Sequence, residues 1–148
     1  MASTFVIAAM VVSLDQVTKS IALAHLHQPV HLLGPFGLNL AFNSGAAFSL
    51  FTGSTGVIVA VAVVVIALLG WVAWQSRTTG LSVALGLLLG GALGNLTDRL
   101  FRGHHGAVVD FISLTHWPTF NVADSSITIG AVLVIVFSLR RTKSAEET

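Results

Sequence analysis

Asp110 and Asp124 stand apart from the other carboxylates: neither has a lysine or arginine within seven residues along the chain. Asp110 is embedded in AVVDFI, an apolar setting that disfavours ionisation. Asp124 lies in NVADSSI, where an apolar segment begins, and a helix N-terminus favours the ionised form. The intervening stretch contains Pro118 and can reverse the chain. Two carboxyls brought close together do not both ionise easily and tend to share one proton. One can then take a proton from water while the other protonates a carbonyl oxygen, which is the chemistry of an aspartic protease. Asp110 is the expected proton carrier, because its surroundings are the more apolar. Spacing alone leaves a second reading open, in which Asp124 is a plain helix N-cap and Asp110 a hydrogen-bonded loop residue.

The remaining candidates come with local cations. Asp15 and Lys19 are four apart, on one helical face, and can form an ion pair. Asp98 sits beside Arg99 and four residues before Arg102, which suits a structural role. Asn95 shares a helical face with Arg99. Asn95-Leu96-Thr97 matches a glycosylation pattern, discounted here because it falls within an expected membrane helix. The chain has no cysteine, so thiol catalysis, disulfides and Cys-ligated zinc are excluded. There is no HExxH, and His104 and His105 are adjacent rather than on one helical face. No GxSxG elbow or phosphate-binding loop occurs. No metal and no cofactor is expected.

These residues need a scaffold, and composition says which kind. Of 148 residues, 54% are hydrophobic and 9% charged, against about 25% charged in a soluble domain. Four apolar segments run from about Phe5 to Leu23, Gly56 to Trp74, Gly80 to Arg99 and Asn121 to Leu139. Each approaches the ~20 residues that a helix needs to cross the hydrocarbon core. The first lacks a basic leader and carries Asp15 and Lys19, so it reads as a retained helix rather than a signal peptide. Arg77 in the short link and Arg140, Arg141 and Lys143 in the tail mark the cytoplasmic side. Both termini are then cytoplasmic, and the connections over about 24–55 and 101–120 face outward. The first outer connection, with Gly34-Pro35 and Gly37 as turns, is apolar enough to lie on the membrane surface. Val30–Leu33 and Leu38–Phe42 read as short strands. The expectation is a single membrane domain over 1–148. The net charge of +1 gives no reason to expect nucleic acid as a partner.

A proton or ion transporter would need polar residues through the whole membrane depth, and the cytoplasmic halves of the four segments are almost wholly apolar. A scaffold without chemistry would not need two cation-free aspartates on one side. The chain resembles the lipoprotein signal peptidases, or signal peptidase II. The resemblance rests on DQVTK (15–19), NSGAAFS (43–49), GGALGNLTDR (90–99), VVDFI (108–112) and FNVADSSI (120–127), in that order. Each is weak alone; together they cover most of the chain to Leu139.

The resemblance implies an all-α membrane protein of four transmembrane helices. It adds a small β-rich extracytoplasmic cradle and a short extra helix in the second outer connection. It implies an aspartic endopeptidase of the bacterial inner membrane, with its site near the outer face. Its substrates are diacylglyceryl-modified prolipoproteins, cut on the N-terminal side of the lipidated cysteine. Asp110 and Asp124 match the catalytic pair; Asp15, Lys19, Asn43, Gly45, Asn95, Arg99 and Asn121 match supporting positions. Arg99 and Asn95 can hold a substrate carbonyl, and Gly45, Ala46 and Ala47 can leave room for the substrate backbone or the lipidated cysteine. The enzyme is expected to act as a monomer among membrane lipids.

Overall fold

The computed structural model describes residues 2–45, 55–76 and 78–146, with side chains to residue 139. Ala46, Ala47 and Arg77 lie outside the described residues. Four helices carry the chain: α1 (Ala2–His25), α2 (Thr55–Gln75), α3 (Thr79–Phe101) and α4 (Val122–Glu146). Each is long and apolar enough to cross a membrane, α4 through Val122–Leu139. The β-branched run of α2 would favour a strand in water. In lipid its backbone groups must be paired within the segment, and a helix does that.

The helix α3 is the centre of the bundle. Its sequence GLLLGGALGN is rich in small residues, which let neighbouring backbones approach without a side chain between them. A Cβ on Gly90 would lie 2.8 Å from the carbonyl oxygen of Ala8 in α1. A Cβ on Gly91, one residue on, would lie 2.5 Å from that of Ala123 in α4. The two glycines seat different helices on different faces of α3. Contact along α2 is slighter: Ala73 is its one buried residue, and Val61, Val64, Leu68, Trp71 and Trp74 are exposed. In a spanning helix those side chains face lipid.

At one end of the bundle, four antiparallel strands form a sheet in the order β1 (Val30–His31), β2 (Phe36–Asn43), β3 (Val108–Leu114) and β4 (Trp117–Phe120). The first two fall on the expected strands: β1 is two residues shorter than Val30–Leu33, and β2 extends Leu38–Phe42 by two residues at its start and one at its end. The second outer connection differs from expectation: it holds β3 and β4, and no helix occurs among its described residues. The physical reason is in VVDFISL, a β-branched and aromatic run that fits a pleated surface. It pairs with β2 on one side and β4 on the other. His116, with φ 66°, turns the chain between β3 and β4. Pro118 falls on edge strand β4, where a missing N–H is tolerated.

Alternation along β3 sends neighbouring side chains to opposite faces. Phe111 packs with Ala22 and Leu26 at the end of α1. Asp110 therefore points to the other face, towards α3 and the start of α4.

Candidate active site

Asp110 and Asp124 are brought together by one residue, Asn121. Its Nδ2 donates to Asp110 Oδ1 at 2.6 Å. Its Oδ1 accepts from the backbone N–H of Asp124 at 2.9 Å, and its own N–H donates to Asp124 Oδ2 at 3.2 Å. The last two bonds are reciprocal, so Asn121 and Asp124 form a capping box in which an aspartate takes the usual Glu or Gln position. The N-cap of α4 is Asn121, not Asp124 as the second sequence reading has it, and Asp124 lies in the first turn of the helix. Asp124 thus helps to cap α4 without being its N-cap, its charge acts on Asp110, and Asp110 lies on strand β3 rather than in a loop.

The two carboxylates differ in surroundings. Asp110 is 2% exposed, while Asp124 is half-buried. Burial raises the Asp110 carboxyl from 3.8 to about 6, and the charge of Asp124 adds to the shift. Hydrogen bonds from the Asn43 and Asn121 side chains and the charge of Lys19 oppose it. The apolar setting of AVVDFI was thus a sound guide to burial. Asp124 Oδ1 accepts from Asn95 Nδ2 at 2.8 Å. None of the ion pairs among the described residues involves Asp110 or Asp124.

The supporting residues cluster around this pair. Lys19 is fully buried and bonds Asp15 at 2.8 Å, as its spacing predicts. It also reaches Asp98 at 3.0 Å and Asn95 Oδ1 at 3.0 Å. Lysine has donors only, so it turns the oxygen of Asn95 towards itself and the Nδ2 towards Asp124. Asn121 Nδ2 also lies 3.2 Å from Asn95 Oδ1. The amide of Asn95 is therefore engaged at both ends.

Arg99 Nη1 donates to the carbonyl of Gly106 at 2.8 Å and lies 3.5 Å from that of Asn43. These bonds aim a guanidinium at the site while leaving other donors of its five. Asn43 is level with Val108 on β3, and its Oδ1 accepts the Gly45 N–H at 2.9 Å. Its amide nitrogen is thereby turned away from Gly45 and free to serve Asp110. Gly45 has φ +89°, a backbone conformation that favours glycine; a Cβ there would lie 2.6 Å from Ile58 Cδ1 of α2, the movable end of a side chain, so the backbone angle rather than the space calls for glycine.

Sequence reasoning missed part of this arrangement. Asp98 is fully buried and pairs with Lys19 and Arg102, not with its neighbour Arg99. Gln16 Nε2 bonds Asp98 at 2.9 Å, and Arg102 bonds Gln16 Oε1 at 2.7 Å. The spacing of Asp98 and Arg102 signals their pair; nothing local signals the contacts to α1. A cavity of about 550 Å³ lies between α1, α2 and α3. It is lined by apolar residues such as Phe5, Val12, Ile66 and Leu93 and holds no aspartate. The candidate chemistry is at the sheet end of the bundle, not in that groove.

Known proteins agree with this architecture. The family model described as Signal peptidase (SPase) II matches residues 7–140. The lipoprotein signal peptidase of Rhodococcus jostii (strain RHA1) is 46% identical over 141 residues, covering 91% of this chain and 71% of its own. That of Mycobacterium avium (strain 104) is 45% identical over 139 residues, covering 90% and 76%. A bacterial membrane enzyme solved by the in meso method at 2.3 Å resolution superposes with a TM-score of 0.87 at 31% identity, over 100% of this chain and 94% of that one. A second, at 1.9 Å, gives 0.84 at 31% identity, over 94% of each. The four apolar helices thus belong to a multi-pass membrane protein, and a match running through all of them makes this chain a peptidase of the signal peptidase II family, the lipoprotein signal peptidases.

Proposed function

We propose that this protein is a membrane-embedded aspartic endopeptidase that removes signal peptides from diacylglyceryl-modified prolipoproteins. It cuts on the N-terminal side of the lipidated cysteine, with Asp110 and Asp124 as the catalytic pair. One observation carries the reading: two carboxylates without a salt-bridge partner among the described residues are linked through Asn121, and the more buried one holds its proton up to about pH 6.

In the proposed reaction a water lies between the two carboxyls. Asp124, as carboxylate, takes a proton from the water as its oxygen attacks the scissile carbonyl carbon. Asp110, as acid, gives its proton to the carbonyl oxygen. The tetrahedral intermediate then collapses: the C–N bond breaks, the proton held by Asp124 passes to the leaving amine, and a hydroxyl of the intermediate returns a proton to Asp110 as the carbonyl re-forms. Arg99 can hold a substrate carbonyl by a charge-assisted hydrogen bond. Asn95, engaged at both ends, serves by aiming its Nδ2 at Asp124.

The reading accounts for the architecture. A signal peptide is itself an apolar segment, and a lipidated cysteine keeps the scissile bond near the membrane boundary. A pair of acids at the end of a helical bundle reaches that bond without extracting either. Cytoplasmic termini, an inner-membrane location, a site at the outer face and action as a monomer belong to the same proposal.

Purified protein in lipid bicelles with a lipidated prolipoprotein tests it. The expected product begins at the lipidated cysteine, read by mass spectrometry. Asp110→Asn and Asp124→Asn should each lower turnover by about 10³-fold or more. Near-normal cleavage by either variant would remove the catalytic assignment. Arg99→Ala at the normal rate would remove the carbonyl clamp. Unlipidated precursor should be a poor substrate.

A further inference from the structure

We infer that Asp98 is a positioning residue for the reaction: from the end of α3 it fixes the backbone of β3 at Val109 and thereby sets Asp110 against Asp124. The inference rests on Asp110 and Asp124 being the catalytic pair. Asp98 Oδ2 accepts the backbone N–H of Val109 at 3.0 Å. Val109 is fully buried and immediately precedes Asp110. The same relation recurs on the other side of the site. Asp15 Oδ1 accepts the backbone N–H of Ala123 at 3.0 Å, and Ala123 immediately precedes Asp124. Each member of the pair is thus held, one residue upstream, by a buried carboxylate of a different helix.

One ammonium joins the two holders. Lys19 Nζ lies 2.8 Å from Asp15 Oδ2 and 3.0 Å from Asp98 Oδ2. The strand bearing Asp110 and the helix bearing Asp124 are therefore tied to a common point. Such a tie serves a reaction that needs both carboxyls about one water, because sub-ångström placement controls the rate. Asp98 does not touch the reacting atoms on this account. Its other oxygen is occupied by Arg102 Nε at 2.8 Å and Gln16 Nε2 at 2.9 Å. Those two contacts hold the carboxylate so that Oδ2 keeps facing Val109.

A purely structural carboxylate would have the same burial, so the test needs a readout that folding does not move. The groups facing Asp98 are Lys19 and Gln16 of α1, Arg102 at the C-cap of α3 and the Val109 N–H of β3, and its charge also acts on Arg99 of α3. Those acting on Asp110 are Asp124, Lys19, Asn43 and Asn121. Asp110 and Arg99 also attract one another. Asp98→Asn keeps an acceptor for Val109 and removes the negative charge that faces Lys19 and Arg102. Asp98→Ala removes both.

For both variants, kcat and KM are measured on folded enzyme across pH 4–9 with a lipidated substrate. Asp98→Ala should lower kcat by about 10- to 100-fold, with KM within about threefold of the parent, as expected when placement rather than binding is lost. Asp98→Asn should recover part of the loss in kcat. In Asp98→Asn the alkaline limb of the kcat profile should move to lower pH, because Lys19, no longer shared with the Asp98 carboxylate, acts more fully on Asp110 and favours its ionised form. Asp98→Asn with kcat and limb both unchanged overturns the inference, whatever its melting temperature. That decision remains available if Asp98→Ala does not fold. Asp110→Asn, run in parallel, separates the two levels. Retained activity there defeats the catalytic pair itself; an inactive Asp110→Asn beside an unaltered Asp98→Asn defeats only the positioning role.

Discussion

Asp15 and Asp98 share an ammonium; Asp110 and Asp124 share an amide. Both sets of carboxylates lie at the same end of the bundle, and three of the four groups are at most 2% exposed. Lys19 bridges the first set with two ion pairs, and Arg102 adds a third. Asn121 links the second set through hydrogen bonds alone. A buried carboxylate with a cation stays charged and holds a fixed geometry. One served by amides keeps a proton affinity that its neighbours can tune, as with Asp110 at about 6. On the proposed function, the difference is that between a fastening and a reactive group, and it can be attacked from either side.

The largest expected effect comes from removing the shared cation. Lys19→Met leaves Asp15 and Asp98 buried without their main partner. Breaking a buried pair by deleting one side costs about 3–5 kcal/mol. Thermal unfolding in detergent should fall by about 10 °C for a chain of this size. A melting temperature within two degrees or so of the parent would mean that the first set is not a fastening.

The second set should respond with the opposite sign. The Asp110 carboxyl is raised from 3.8 to about 6 in the folded protein. Between those values the folded state keeps a proton that the unfolded chain has released, so stability falls as pH rises from about 4 to 6. Above that window the loss is complete, on the order of 3 kcal/mol. Asp110→Asn removes it. The variant should be more stable than the parent at pH 7 and less dependent on pH, while inactive. A variant less stable at pH 7 than at pH 4, by the same margin as the parent, would contradict the burial account. The same shift predicts that cleavage declines above about pH 6, as the proton needed for the carbonyl oxygen is lost.

Local pattern disclosed some of these features and could not disclose others. The four spans were legible from length and apolarity, since lipid leaves the backbone few alternatives. The pairing of Asp15 with Lys19 was legible because both lie on one helical face. Counting cations along the chain matched one outcome: neither Asp110 nor Asp124 forms an ion pair among the described residues, although Lys19 and Arg99 act on them from a distance. The extra helix expected near 101–120 was not a reading of residues: VVDFISL itself argues for a strand, and a strand is present. The grip of Asp98 on Val109 and of Asp15 on Ala123 was hidden. Those bonds join a side chain to a backbone N–H, and a backbone N–H has no letter in the sequence. The 108 positions between Asp15 and Ala123 put the contact beyond any local periodicity.

The glycines of α3 give a smaller test of how the two sets are held in register. Gly91→Ala places a Cβ 2.5 Å from the Ala123 carbonyl and 2.7 Å from Ile127 Cγ1. Backbone must move, and it is the turn that carries Asp124. Overpacking of this kind costs about 1–3 kcal/mol, and turnover should fall with it. Gly70→Ala in α2 meets nothing within 4 Å and should leave turnover unchanged. Equal effects of the two substitutions on turnover would separate helix packing from the placement of Asp124.

The smallest effect distinguishes two neighbouring arginines. Arg102 serves the fastened set: it bonds Asp98 at 2.8 Å and Gln16 at 2.7 Å, and its side chain is 15% exposed. Solvent can replace part of what it supplies, and Asp98 retains Lys19. Arg102→Ala should therefore cost only about 1 kcal/mol, a few degrees in melting temperature. Arg99 leans on the reactive set, bonded to the Gly106 carbonyl and attracted by Asp110 and Asp124. Arg99→Ala should act mainly on turnover and little on melting. If instead Arg102→Ala lost turnover and Arg99→Ala lost stability, the boundary between fastening and reactive carboxylates would run elsewhere than between Lys19 and Asn121.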